Sequence, residues 1–77
     1  MPGSRNPNSM FYYVYILESE LVDKELYIGY TNDLRKRLTQ HNSGSSQSTK
    51  RYLPWKLIYY EACIDINDAK RREKYFK

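Results

Sequence analysis

Phe11 to Leu17 reads FYYVYIL, and Leu26 to Tyr30 reads LYIGY. The first stretch is aromatic and β-branched or aliphatic throughout, the composition of a half-buried pleated strand. Alternation puts Phe11, Tyr13, Tyr15 and Leu17 on one face and Tyr12, Val14 and Ile16 on the other. Glu18 to Glu25 is mostly polar and reads as a loop. LYIGY is then a second short strand, expected to pair with the first as a hairpin. Tyr15 and Tyr27 would open on one sheet face if the register aligns them.

Working outward, Thr31-Asn32-Asp33 offers helix N-cap residues. A helix is expected over Leu34 to Asn42, with Leu34 and Leu38 one turn apart on one face. Gly44 is a natural C-terminal stop. Ser43 to Thr49, SGSSQST, has the composition of a mobile loop. Pro54 breaks the chain before a third strand, Trp55 to Cys63, WKLIYYEAC. Asp65 to Asp68 can cap a last helix, on which Ile66, Ala69, Glu73 and Phe76 fall in one stripe. The expected fold is α+β: a small, mainly antiparallel three-stranded sheet with flanking helices, in the order β-β-α-β-α. No internal repeat is visible.

The chain has 77 residues, enough for one small domain, expected over residues 10–77. A chain of this size buries only about 60% of the surface it would expose unfolded, so the core must be thin. Tyrosine supplies much of it: there are 9 Tyr against 2 Phe and 1 Trp, and a tyrosine can fill a core or line a polar site. Residues 1–9, MPGSRNPNS, are polar and rich in turn formers, and read as a disordered arm or a cloning remnant. No apolar run has the length of a membrane span and none follows a basic start. The single cysteine, Cys63, excludes an intrachain disulfide and a multi-cysteine zinc site. It fits a reducing cytoplasm, and its apolar neighbourhood reads as packing rather than as a nucleophile. The net charge of +4 and pI near 9.2 point to a polyanionic partner.

Candidate chemistry rests on a few residues. Glu73 lies inside the apolar stripe of the last helix, where a carboxylate is costly unless paired, protonated or bound to metal. A plain Glu at the stripe edge, paired with a neighbouring cation, would look the same in sequence. Arg37 and His41 stand one turn apart and are expected at the rim of the core. There Arg37 could bind a phosphate, or both could belong to a solvated basic helix with Arg35 and Lys36. Tyr15 and Tyr27 are site residues or core aromatics. Lys50, Arg51, Lys56, Lys70, Arg71, Arg72 and Lys74 could follow a phosphate backbone or merely face solvent.

Taken in order, these residues resemble the GIY-YIG nucleases, above all the small stand-alone bacterial members. Tyr13-Val14-Tyr15-Ile16-Leu17 looks like the first motif and Tyr27-Ile28-Gly29 matches the second. Arg37 stands eight residues after Gly29, His41 four further on, and Glu73 in the final helix, each where the family has its counterpart. The resemblance implies a metal-dependent endonuclease with Tyr15, Tyr27, Arg37, His41 and Glu73 catalytic and Glu73 the ligand of one Mg²⁺ or Mn²⁺. It implies a nucleic acid substrate, most simply DNA cut by structure rather than sequence, as in repair. Tyr13 replaces the first motif's glycine, and a ring there is expected to reshape or close the pocket. The absence of a targeting module leaves room for a homodimer or a targeting partner. Two other readings stand beside this one: an inactive nucleic-acid-binding module on the same fold, and a protein-interaction domain.

Overall fold

The structure, a computed structural model, describes residues 11–45 and 47–77; the expectation for residues 1–9 lies outside these. Strands β1 (Tyr12–Ser19), β2 (Leu26–Thr31) and β3 (Trp55–Cys63) form one antiparallel sheet in the order β2-β1-β3. Helix α1 (Leu34–Asn42) joins β2 to β3, and α2 (Ile66–Phe76) follows β3. The expected β-β-α-β-α order and α+β class are therefore what the chain adopts.

The hairpin register pairs Tyr15 with Gly29 and Leu17 with Tyr27. Across β1's other side Tyr15 pairs with Tyr60 and Leu17 with Leu57. Ile16 pairs with Tyr59, so Ile58 is an extra residue that bulges β3. The helices cover opposite faces. Leu34 and Leu38 of α1 pack on a core of Tyr15, Leu17 and Trp55. On the other face, Val14 is fully buried, and α2 docks through its own fully buried Ala69. There Phe76 meets Tyr59 with ring centroids 5.8 Å apart, and Arg72 donates to Glu61 at 2.6 Å. Fully burying one side chain such as Leu17 is worth about 1.5–3 kcal/mol, so a few residues carry this thin core.

The helix boundaries follow from their caps. Asp33 accepts the backbone N–H of Lys36 at 3.1 Å, and Asp65 accepts that of Asn67 at 3.0 Å; such a cap is worth about 1 kcal/mol. Gly44 takes a φ of +78° just beyond α1, a left-handed turn that favours glycine. The loop expected from Glu18 starts two residues late. Ser19 still pairs with Trp55, while its Oγ, accepting from Leu21 and Val22 N–H at 3.1 and 2.9 Å, begins the turn. The serine-rich segment after α1 is anchored in part. Thr49 is buried, Trp55 Nε1 donates to its carbonyl at 3.0 Å, and Lys50–Tyr52 form a 3₁₀ turn that periodicity cannot reveal. None of the described helices is long and apolar enough to cross a membrane.

Candidate active site

Because Tyr15 faces Gly29 and Tyr27 faces Leu17, the two tyrosines share a sheet face on a diagonal. Their ring centroids lie 6.2 Å apart. Gly29 makes room for both rings. A Cβ at this position would stand 2.7 Å from Tyr15 Oη and 3.1 Å from Tyr27 Cε2, closer than carbon and oxygen tolerate. The tyrosine ring thus crosses β2 over a residue without a side chain.

Helix α1 brings Arg37 and His41 to this point. Arg37 Nε donates to Tyr15 Oη at 3.4 Å, and His41 Nε2 lies 3.1 Å from the same hydroxyl. His41 Nδ1 lies 3.4 Å from Thr49 Oγ1, and the imidazole packs on the Tyr27 ring at 4.6 Å. Either imidazole tautomer satisfies these contacts; in the one that leaves Nε2 an acceptor, Arg37 donates to Tyr15, the Tyr15 O–H donates to Nε2, and Nδ1–H donates to Thr49. His41 is 2% exposed, which corrects its expected place at the rim. At about 100° per residue, seven residues bring it within about 20° of Leu34, so it turns inward. Burial first, and Arg37 second, hold its pKa below the ordinary imidazole value. Burial raises the Tyr15 pKa, with the Arg37 hydrogen bond opposing.

A cleft of about 480 Å³ opens beside these groups, walled by Tyr15, Tyr27, Gly29, Asn32, Arg37 and Glu73. The apolar stripe of α2 brings Glu73 there, with its side chain only 20% exposed and Lys77 Nζ 2.9 Å from Oε2. Four expected site residues therefore meet in one cleft and His41 stands behind Tyr15. Tyr13 does not line it. The ring points into a separate groove beneath α1, so the expectation that it would reshape or close this pocket does not hold. The other basic residues stay outside the cleft: Arg71 pairs with Asp68 and Arg72 with Glu61. Cys63 is partly exposed rather than buried, and burial raises its thiol pKa, the reverse of an activated nucleophile. Thr49 and Asn32 escaped the sequence reading because nothing in a serine-rich loop or a capping turn marks them.

No cluster of three or more His, Cys, Asp or Glu stands close enough to cage a metal among the described residues. One hard carboxylate beside an open cleft nevertheless suits Mg²⁺ or Mn²⁺, which keep most of their waters and take further ligands from a phosphate. A hexahydrated ion needs roughly 200 Å³ at about 30 Å³ per water, less than the cleft offers.

Comparison with known proteins agrees with this geometry. The GIY-YIG catalytic domain family matches residues 11–77. A UPF0213 protein of Streptococcus pyogenes serotype M3 is 48% identical over 66 residues, covering 84% of this chain and 70% of its own. A UPF0213 protein of serotype M5 is 47% identical over the same shares. These names state no activity, and no solved structure matches. Both motif tyrosines, the arginine of α1 and the glutamate of α2 meet within a match that runs almost the length of the chain, which is thus a member of the GIY-YIG nuclease family.

Proposed function

We propose that this protein hydrolyses phosphodiester bonds of DNA, selecting structure rather than sequence, with one Mg²⁺ or Mn²⁺ held by Glu73. The convergence of the half-buried Glu73 carboxylate with Tyr15, Tyr27 and Arg37 in one cleft carries the reading. A divalent ion there would supply charge neutralisation on the phosphate and on the leaving oxygen. Arg37 sits exposed at the mouth, where its guanidinium meets a non-bridging oxygen and stabilises the charge that builds in the transition state. Tyr15 receives the attacking water's proton as its own passes to His41 Nε2. The lowered imidazole pKa keeps that nitrogen free to accept near neutrality. This relay avoids a free phenolate, which the raised Tyr15 pKa disfavours. Tyr27 packs on the His41 ring and holds it in place. Recognition by backbone shape rather than by base edges is part of this proposal. A cytoplasmic setting and a homodimer or targeting partner complete the proposal.

The second reading, an inactive binding module, draws on Lys77, whose ammonium already neutralises Glu73. A cleavage assay separates the two. Labelled DNA and RNA substrates are incubated with Mg²⁺, Mn²⁺ or EDTA, beside Glu73→Gln. Metal-dependent cutting lost in the variant supports the nuclease. Binding that weakens with salt, without cutting under any condition, supports the module.

A further inference from the structure

The basic run Arg35-Lys36-Arg37 has a geometry that the cleft alone does not use. At about 100° per residue, Arg37 and Arg35 leave α1 on opposite flanks of its core-facing side, and Lys36 stands on the outer crest. Arg37 walls the cleft. Arg35 walls a second groove of about 410 Å³ on the other flank, with Tyr13, Leu34, Leu38, Leu57 and Tyr60. Helix α1 is thus a ridge between two hollows, crossed by three consecutive cations. Arg35 and Lys36 are exposed, and no side-chain partner engages either among the described residues.

The groove has an aromatic wall. Tyr13 and Tyr60 meet edge to face with centroids 6.0 Å apart. Tyr60 is 53% exposed, and neither hydroxyl is tied to another side chain among the described residues. Leucines form the floor. A ring face open to solvent beside a free guanidinium suits a flat, apolar-faced group carried on an anionic chain. The hollow also lies next to the cleft in the sheet, since Tyr13 pairs with Thr31, which lines the cleft, and Tyr12 lines it too.

We propose that the groove is a nucleobase-stacking subsite. A single strand engaged at the cleft crosses the α1 ridge over Arg37, Lys36 and Arg35 and lays one base against Tyr60 and Tyr13. The ridge is about 10–12 Å across with its side chains, so the stacked base lies a few nucleotides from the phosphate at Arg37. The assignment rests on the nuclease reading and adds a substrate preference to it: a single-stranded or unpaired segment beside the cut. A paired base cannot leave its stack to enter the groove without an unpairing cost.

The test measures binding and cleavage separately. Fluorescence anisotropy in EDTA follows wild type, Tyr60→Ala, Tyr60→Phe and Arg35→Ala on a labelled single strand of about ten nucleotides, a length small single-strand-binding folds cover. A second strand of equal length carries abasic sugars throughout, keeping the phosphates without the bases. Wild type is expected to favour the base-bearing strand by about 5- to 150-fold, the worth of one stacked base. Tyr60→Ala should lose that preference while holding the abasic strand as before, and Tyr60→Phe should keep it. Arg35→Ala should weaken both strands alike and lower the slope of log affinity against log salt by about 0.7. Equal wild-type affinity for the two strands overturns the subsite, as does a preference that survives Tyr60→Ala. So does a concentration-dependent dimer that Tyr60→Ala abolishes, since a second copy would then occupy the groove. Cleavage of the base-bearing strand in Mg²⁺ is scored independently. Cutting without base preference removes only the subsite, and base preference without cutting removes only the nuclease reading.

Discussion

Gly29→Ala offers a sharp test of how the site is built. The added methyl would lie 2.7 Å from Tyr15 Oη, 3.0 Å from Tyr15 Cζ and 3.1 Å from Tyr27 Cε2. Tyr15 is held in place, being 1% exposed and tied to His41 and Arg37. Overpacking a close-fitted site costs about 1–3 kcal/mol, and parting a buried hydroxyl from its partner adds about 1 kcal/mol. A penalty of roughly 2–4 kcal/mol follows from these two terms. At about 4–8 °C per kcal/mol for a domain of this size, Tm should fall by at least about 8 °C. Thermal melts followed by circular dichroism, with urea titrations beside them, measure it. The same substitution in a Tyr15→Phe background separates the cause, because Phe lacks the atom at 2.7 Å. There the alanine should cost at least about 1 kcal/mol less, a coupling in the range expected of touching residues. Equal penalties in the two backgrounds would refute the claim that Gly29 is there for the Tyr15 hydroxyl. A Tm within about 2 °C of wild type would refute the packing argument altogether.

Arg37→Ala should lower the cleavage rate by about two to three orders of magnitude, as loss of a transition-state charge contact does, while costing at most about 1 kcal/mol of stability, since the side chain is exposed. A large melting shift with an unchanged rate would make Arg37 a packing residue. His41 should make stability pH-dependent: its folded pKa lies below 6.5, so the unfolded chain takes up a proton first. Stability is then complete above that value and falls as pH drops through it toward the folded pKa. Urea unfolding of wild type and His41→Gln across this range should show the slope only in wild type. Thr49→Val should move the imidazole proton from Nδ1 to Nε2, with Thr49→Ser retaining it on Nδ1. His41 is the only histidine, so its ¹⁵N shifts read this directly, and identical shifts in all three proteins would dismiss Thr49 as the orienting group.

The strands and helices were legible because strong local signals agree with the packing. Trp55–Cys63 begins directly after Pro54 and is β-branched or aromatic over much of its length, and α1 is bracketed by Asp33 and Gly44. Glu73 was legible as a misfit in an apolar stripe, and its half-buried place in the cleft follows from that stripe. His41 lies about 60° round α1 from Leu38 but only about 20° from Leu34, and the second offset turns it inward from the rim where it is expected. Thr49 could not be read at all, since its burial depends on Trp55 reaching back from β3 to its carbonyl. Long-range contacts of this kind leave no periodic trace.

The bulge at Ile58 has a meaning for the life of the protein outside its site. Strand β3 is a sheet edge whose sequence, WKLIYYEAC, is of the type that stacks into fibrils when it lies flat and unpaired. The extra residue twists that edge and interrupts its row of free hydrogen-bonding groups, and Lys56 and Glu61 add charge within the same strand. The irregularity therefore acts as a guard against self-templating. A chain lacking Ile58 would keep both of its sheet faces in phase with β1 yet present a straight aromatic edge to every neighbour it meets, and its colloidal lifetime should shorten accordingly.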